Sequence, residues 1–215
     1  MRKGVRGADM SEVEKVIPEK DFEQSGELIL FEGQPFTGTG IDYHKNGQKK
    51  SERNYKEGRE NGISAGWYEN GEKLYESHYK DGEEDSLWQR WYSNGQKTFE
   101  KVYKNGELDG RWTTWFENGQ KMFERYHERG WRIGQHTQWY ENGQKESEQH
   151  YKGGLLNGLL VTWNESGEKM VKERYTNGVR GGIFSYWLEK IRSKLQGDQK
   201  IGRKHTKKFL KRITP

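Results

Sequence analysis

Aromatic and polar positions recur along the chain at a strict interval of 24 residues. Each interval places an Asn-Gly dipeptide between two runs rich in aromatic, β-branched and polar residues, as in residues 112–116. Such runs are typical of strands, and Asn-Gly between them predicts a hairpin with a type I′ turn, because both residues tolerate positive φ. The pattern therefore predicts one β-hairpin per interval. The dipeptides stand at 46–47, 70–71, 94–95, 118–119 and 142–143, followed by Ser166-Gly167.

Two rows of aromatic residues keep the same interval. The first row consists of Tyr43, Trp67, Trp91, Trp115, Trp139, Trp163 and Trp187. The second row consists of Phe31, Tyr55, Tyr79, Tyr103, His127, Tyr151 and Tyr175. Leu, Ile, Val and Phe together make up only 36 of the 215 residues, which is too few for an ordinary aliphatic core. We therefore expect the tryptophans of the first row to stack on one another and to replace that core.

These patterns predict an all-β fold, an elongated single-layer antiparallel meander of 24-residue β-hairpin repeats with a short helical cap at each end. Residues 1–27 would form an arm and cap, residues 28–188 six full units plus a partial seventh, and residues 189–215 a helix and a basic tail. Ser11 and Glu14 form a capping box that would start a helix running through Ile17, which Pro18 would end. The second helix is expected at 189–196, where the repeat pattern breaks.

The repeat unit resembles the variant MORN repeat. Its pattern is Gly-x-x-x-x-Trp-Tyr-x-Asn-Gly-Gln-Lys-x-x-Glu-x-x-Tyr-Lys-x-Gly, seen at 134–154 and, with Glu72 in place of Gln, at 62–82. Arrays of this kind look like the YwqK-type antitoxins of toxin–antitoxin pairs. The resemblance implies a β-meander and a role in binding a protein partner, which for these antitoxins is a toxin. It implies no catalytic residues, because the repeated positions serve turns and packing.

No residue pattern indicates catalysis. A glutamate recurs in each unit with a lysine three residues before it, at Glu52, Glu76, Glu100, Glu124 and Glu148. Paired carboxylates could serve glycoside hydrolysis, but a row repeated in every unit favours cross-strand ion pairs. The chain has no cysteine, and its six histidines form no short metal motif. We therefore predict a protein that is not an enzyme, with no catalytic residue, cofactor, metal or small-molecule substrate.

The positions that vary between units are the candidate contact residues. One row reads Trp88, Trp112, His136, Leu160 and Phe184, and Trp131 takes a turn position that holds Glu107 or Leu155 in other units. Variation on a periodic scaffold is expected of a binding surface, although loose packing constraints would produce it too. The predicted protein-binding residues are Trp88, Trp112, Trp131, His136 and Phe184.

The net charge of +5 comes from the C-terminal end of the chain, since residues 190–215 hold ten Lys and Arg against one Asp. Such a tail could bind nucleic acid, an anionic membrane surface or an acidic protein surface, or it could serve only as a solvated terminus. The predicted polyanion-binding residues are Lys200, Arg203, Lys204, Lys207, Lys208, Lys211 and Arg212.

The favoured function is a non-enzymatic protein–protein interaction scaffold, including the neutralisation of a toxin that the resemblance implies. The alternative is attachment to a polyanion through the tail. No apolar run approaches 18 residues and no apolar N-terminal stretch resembles a secretory signal, so we expect a cytoplasmic protein. The sequence leaves the oligomeric state open.

Overall fold

A computed structural model describes residues 15–181 of the chain. This part contains eighteen strands and one short 3₁₀ helix, Glu19–Asp21. The strands are β1 (Val16–Pro18), β2 (Glu23–Ser25), β3 (Leu28–Phe31), β4 (Gln34–Pro35), β5 (Gly38–Tyr43), β6 (Lys49–Lys56), β7 (Arg59–Trp67), β8 (Lys73–Lys80), β9 (Glu83–Glu84), β10 (Ser86–Trp91), β11 (Lys97–Lys104), β12 (Glu107–Trp115), β13 (Lys121–Glu128), β14 (Trp131–Trp139), β15 (Lys145–Lys152), β16 (Leu155–Trp163), β17 (Lys169–Thr176) and β18 (Val179–Arg180).

Fifteen of these strands form one long sheet, and β2, β3 and β4 form a separate one. From β5 onward each strand lies beside its neighbours in sequence, with the short β9 pairing with β8 next to β10. All these pairs are antiparallel, whereas β1 joins β5 in parallel, so that the long sheet is mixed. The predicted all-β fold of consecutive hairpins is confirmed.

The turn type predicted for Asn-Gly is wrong. At Asn118-Gly119 only the glycine has positive φ, and the Phe116 N–H donates to the Gln120 carbonyl at 2.8 Å. This is the pattern of a longer hairpin loop that a left-handed glycine closes. The Asn118 side chain explains the difference, because its Oδ1 accepts the Gln120 N–H at 2.9 Å and so holds the asparagine in its turn.

The tight turns connect the strands at their other ends. The line of these turns along the sheet is called the tight-turn edge, and the line of Asn-Gly turns the Asn-Gly edge. There two-residue loops carry positive φ at both positions, as type I′ turns require, for example 50° at Asn105 and 75° at Gly106. The equivalent pairs are 57–58, 81–82, 129–130, 153–154 and 177–178.

Along each of the two edges, hydrogen bonds join the turns of successive units. At the Asn-Gly edge each turn asparagine donates to a carbonyl of the next turn, as Asn118 Nδ2 does to the Glu141 oxygen at 3.1 Å. At the tight-turn edge the glycine N–H donates to the preceding unit, as from Gly130 to the Leu108 carbonyl at 2.8 Å. The strict recurrence of Asn-Gly therefore reflects contacts between units as well as the turn itself.

A bulge explains the glycine that opens each unit. On β12 three residues, 109–111, lie opposite the single Val102 of β11. Gly110 takes φ of 130° there, and a Cβ atom on it would lie 3.0 Å from the Val102 Cβ. Ser86 occupies the equivalent place with φ of 60°.

The described residues contain little aliphatic core. The buried apolar residues are Phe36, Tyr55, Ala65 and Val161, whereas the buried polar set consists of Thr39, Ser51, Ser64, Ser77, Thr113, His127, His136, Thr137 and Ser147. Small hydroxyl side chains thus line the middle of the sheet. The expectation that no aliphatic core forms is confirmed for this part of the chain.

The predicted N-terminal helix is not present in its described residues, 15–17. Residues 16–18 form a strand, and the Lys15 carbonyl accepts the Thr39 N–H at 2.8 Å. The open edge of β5 needs backbone partners, which an extended segment supplies and a helix could not. The small sheet of β2, β3 and β4 then brings Phe22 and Phe36 against Tyr55. Their ring centroids lie 5.6 and 6.0 Å from the Tyr55 centroid. The predicted C-terminal helix, 189–196, lies outside the described residues, among which no helix could span a membrane.

The bulge at Gly110 yields a stability prediction. Gly110→Ala should lower the free energy of unfolding by about 1–3 kcal/mol, because alanine must adopt a φ that disfavours L-residues and its Cβ would crowd Val102. Ser86→Gly at the equivalent place should change it by less than about 1 kcal/mol. Urea unfolding of both variants tests this, and equal losses would show that the bulge geometry is not responsible.

Candidate functional site

The two faces of the long sheet differ in chemistry. Cross-strand pairing places Lys101, Trp112 and Arg125 side by side on one face, together with Phe99 and Phe123. We call this side the ring face. The opposite side carries the recurring lysines and glutamates beside the first tryptophan row, and we call it the lysine face.

Tryptophans of the first row do not stack on one another. No ring contact within residues 15–181 joins two of them. Four tryptophans instead meet a lysine of the strand that separates them from the preceding member of the row, namely Trp67, Trp91, Trp115 and Trp139. Trp163 meets Lys169 of the strand that follows it. Lys73 Nζ lies 5.8 Å from the Trp91 centroid, and Lys97 Nζ lies 5.9 Å from that of Trp115. Equivalent residues are two strands apart, about 10 Å, which exceeds the range of ring contact. The predicted stacking is therefore replaced by an alternation of rings and ammonium groups.

The Lys-Glu ion pairs run along each strand rather than across strands. Lys121 Nζ lies 2.7 Å from Glu124, and Lys97 lies 2.9 Å from Glu100. Side chains three apart on a regular strand point to opposite faces, but Met122 is an extra residue in the register and brings Lys121 and Glu124 to one side. The glutamate row thus forms repeated ion pairs, as its periodicity suggested, with a different geometry.

On the ring face the second aromatic row does form ring contacts, through residues of the variable row. Trp88 lies between Tyr79 and Tyr103, with centroids 5.2 Å from each. A second series runs from Trp112 to His127 at 6.0 Å, to His136 at 5.8 Å and to Tyr151 at 4.5 Å. The variable row therefore packs between members of the regular row.

The predicted contact residues fall into three groups. Trp88 and Trp112 are half-buried on the ring face, where the Trp88 Nε1 donates to the His78 carbonyl at 3.1 Å. His136 is only 5% exposed and sits beneath that surface. Trp131 is 64% exposed at the tight-turn edge, with its ring against Gly154. Phe184 and the tail candidates, from Lys200 to Arg212, lie outside the described residues.

Sequence reasoning missed the cations of the ring face. Lys101 Nζ lies 4.7 Å from the centroids of both Phe99 and Trp112, and the Arg125 guanidinium lies 3.9 Å over Phe123. Arg132 follows at 5.4 Å from the Tyr151 centroid. The available signal was a row at 24-residue spacing that reads Arg53, Ser77, Lys101, Arg125, Gln149 and Glu173, with two cations in succession.

Burial shapes the protonation of this cluster. It lowers the pKa of Lys101 and, together with nearby Arg132, that of Arg125. Burial also lowers the pKa of His127 and brings that of His136 to about 4. Both imidazoles are therefore neutral at pH 7, and the positive charge of the cluster resides on Lys and Arg.

An open groove of about 450 Å³ lies on the same face nearer the N-terminal sheet, lined in part by Arg53, Glu60 and Tyr79. Burial raises the pKa of Glu60, and Arg53 lies 3.9 Å from its carboxylate. Arg53 also pairs with Glu19 at 3.1 Å. The charges in this groove thus neutralise one another, and the described residues include no cluster of three metal-binding side chains.

Comparison with protein-family models identifies the repeat. The model of the MORN repeat variant matches residues 36–57, 60–81, 84–105, 108–129 and 132–152, half of the chain. The chain belongs to this family. Each matched MORN segment contains one Asn-Gly hairpin and ends at or next to a tight turn, so the family pattern and the observed strands share their boundaries. A comparison with curated proteins finds no match.

The buried His136 predicts acid sensitivity of this MORN array. Unfolding restores its pKa from about 4 to about 6.5, so the unfolded chain binds a proton that the folded chain does not. The free energy of unfolding should therefore fall by about 2–3 kcal/mol for this group as the pH decreases from 7 to 4.

Denaturant unfolding across this pH range tests the effect. His136→Leu, which installs the residue found at Leu160, should flatten the dependence by that amount. His150→Gln alters an exposed histidine and should leave the slope as it is. An unchanged slope in His136→Leu would contradict the assignment.

Proposed function

We propose that this MORN-repeat protein is a non-enzymatic scaffold that binds a protein partner along its sheet. The observation that carries the proposal is a change of chemistry along the tight-turn edge. One position per unit is charged in the first three units, at Arg59, Glu83 and Glu107, and apolar in the next three. These three residues are Trp131, Leu155 and Val179, which are 64%, 51% and 70% exposed.

Exposed apolar residues at successive equivalent positions form a ridge that water solvates poorly. Tryptophan in such a setting is the residue type most enriched among energetic anchors of protein interfaces. The sheet supplies a rigid support, because both edges are hydrogen-bonded between units. The paired glutamates of the lysine face support a structural rather than a catalytic role for the repeated carboxylates.

A crosslinking purification of the full chain from its native cell tests the scaffold proposal. We expect one partner protein in stoichiometric amount, and Trp131→Ala should weaken its binding at least about tenfold. The matched control is Glu107→Ala, at the equivalent position one repeat before Trp131, and it should have little effect. Recovery of the chain alone under gentle conditions would contradict the proposal.

Neutralisation of a toxin is the specific form of this function that the resemblance to YwqK-type proteins favours. Its test is co-expression with the product of the neighbouring reading frame. The neighbour alone should arrest growth, and the present chain should relieve the arrest. A neighbour without toxicity would remove the antitoxin assignment and leave the scaffold proposal in place.

Attachment to a polyanion through residues 190–215 is the second candidate, favoured by the ten cations and one acid of that segment. Binding to a 20-mer oligonucleotide or to phosphatidylserine vesicles should weaken steeply with salt and disappear when residues 190–215 are deleted. Salt-insensitive binding by the truncated chain would exclude the tail as its origin. Partner binding through Trp131 should survive the same deletion.

A further inference from the structure

We propose that Lys101 and Arg125 at the Trp112 ring, together with Arg132 over the Tyr151 ring, bind the carboxylates of an extended acidic segment of a partner protein. This inference rests on the proposed scaffold function and names the chemistry of the partner. It concerns the ring face, whereas the apolar ridge lies at the tight-turn edge.

The first support is that these cations form no salt bridge among the described residues, and Glu84 acts on Lys101 only over a longer distance. Within residues 15–181 no carboxylate lies within 4.0 Å of the charged groups of Lys101, Arg125 or Arg132. Toward the ends of the array the same row is neutralised, by the Arg53–Glu19 pair at 3.1 Å and the Glu173–Arg180 pair at 2.7 Å. A partly buried charge without an ion-pair partner is unfavourable. A carboxylate that binds here would supply the partner that these cations lack.

Unsatisfied polar atoms in the same cluster provide the second support. Trp112 Nε1 and His127 Nδ1 are buried and have no hydrogen-bond partner in the described structure. His127 is 6% exposed, and the two rings lie 6.0 Å apart. The indole N–H can only donate, so a carboxylate oxygen that enters the cluster would form a bond that the free protein lacks.

A protein segment suits this site better than a nucleic acid does. Single-stranded nucleic acids bind through bases stacked on open aromatic faces, but here Arg125 covers Phe123, and Lys101 lies over Phe99 and Trp112. The surrounding field is also unfavourable for a long polyanion, because residues 15–181 hold 25 Lys and Arg against 28 Asp and Glu. A short acidic segment needs only the local cluster.

The spacing of the cations suggests the spacing of the acids. Lys101 and Arg125 lie on β11 and β13, two strands apart, which places their backbones about 10 Å from each other. An extended chain in the polyproline II conformation rises about 3.1 Å per residue and has three residues per turn, so carboxylates three residues apart lie on one side of it and would match the two cations. A partner segment would thus run along the array and across its strands.

Fluorescence anisotropy of the full chain with a labelled peptide tests the site. The probe is a dodecapeptide of four Glu-Gly-Gly units, and the Gln-Gly-Gly peptide is its uncharged counterpart. The variant Lys101→Met with Arg125→Met removes both charges while keeping apolar stems over the rings, and it should bind the acidic peptide at least about tenfold more weakly.

The matched control is Lys97→Met with Lys121→Met, which removes the same charge from the lysine face. It should bind within about twofold of the unchanged chain, since these ammonium groups are paired with Glu100 and Glu124. Equal weakening by both double variants would show attraction by net charge alone and overturn the site. Thermal unfolding of each variant verifies that the fold is intact.

Carbodiimide crosslinking then locates the contact. The reagent couples a peptide carboxylate to a lysine amine as an amide while its own carbodiimide is hydrated to a urea. Peptide mapping should find the link at Lys101, and crosslinks confined to lysines of residues 190–215 would overturn the proposal.

Binding of a 20-mer oligothymidylate distinguishes a nucleic-acid site. If the Lys101/Arg125 variant lost oligonucleotide binding while its peptide binding persisted, the proposal would also be overturned.

The two proposals can fail separately. A native partner that binds the Lys101/Arg125 variant as tightly as the unchanged chain would refute the acidic-segment site and leave the scaffold function standing. If the acidic peptide binds at Lys101 and Arg125 but no native partner is found, the acidic-segment site would stand and the scaffold function would be refuted.

Discussion

The distance between equivalent residues of successive units governs the whole array. Each unit contributes two strands, so a side chain and its counterpart in the next unit are about 10 Å apart, beyond the reach of direct ring contact. Every row must therefore be completed by the strand in between. On the lysine face ammonium groups fill the gaps between tryptophans, and on the ring face Trp88, Trp112 and His136 fill the gaps between members of the second row. Neither face could be built from one strand of the repeat alone.

This constraint explains how the long sheet of residues 15–181 holds together, with the small β2–β4 sheet packed against it at one end. Small hydroxyl residues such as Thr113 are buried in the middle of the sheet, and interleaved side chains cover both faces. Hydrogen bonds join the turns of neighbouring units at both edges. A unit that stands alone lacks the contacts that its neighbours supply, so its stability depends on them. The first edge then needs backbone partners, which residues 15–18 supply as a strand.

The sequence predicted the hairpins and the unit length because periodicity reports what is repeated. It predicted the turn type wrongly, since the conformation of Asn118 depends on bonds to Gln120 and to the next unit. It also misjudged the partners of Trp91 and Trp115, because a row read along the sequence omits the strand that lies between. The direction of the Lys121–Glu124 pair depends on one bulged residue that periodicity does not reveal. Among the candidate contacts, the sequence could not separate the buried His136 from the exposed Trp131, because their burial depends on which neighbouring side chains and turns cover them.

The proposed binding surfaces lie at departures from the repeat. The scaffold accepts Arg, Ser, Lys, Gln or Glu in the row that includes Lys101 and Arg125, so packing alone does not require a cation there. Where the fold requires neutrality, as at Arg53 and Glu173, it supplies a partner of opposite charge. At Lys101 and Arg125 residues 15–181 provide no carboxylate within salt-bridge distance, although burial lowers the pKa of both groups and so disfavours their charged forms. A charge that the fold neither needs nor neutralises is best explained by a group outside the fold, and the rings beneath these cations set the distance at which that group must approach.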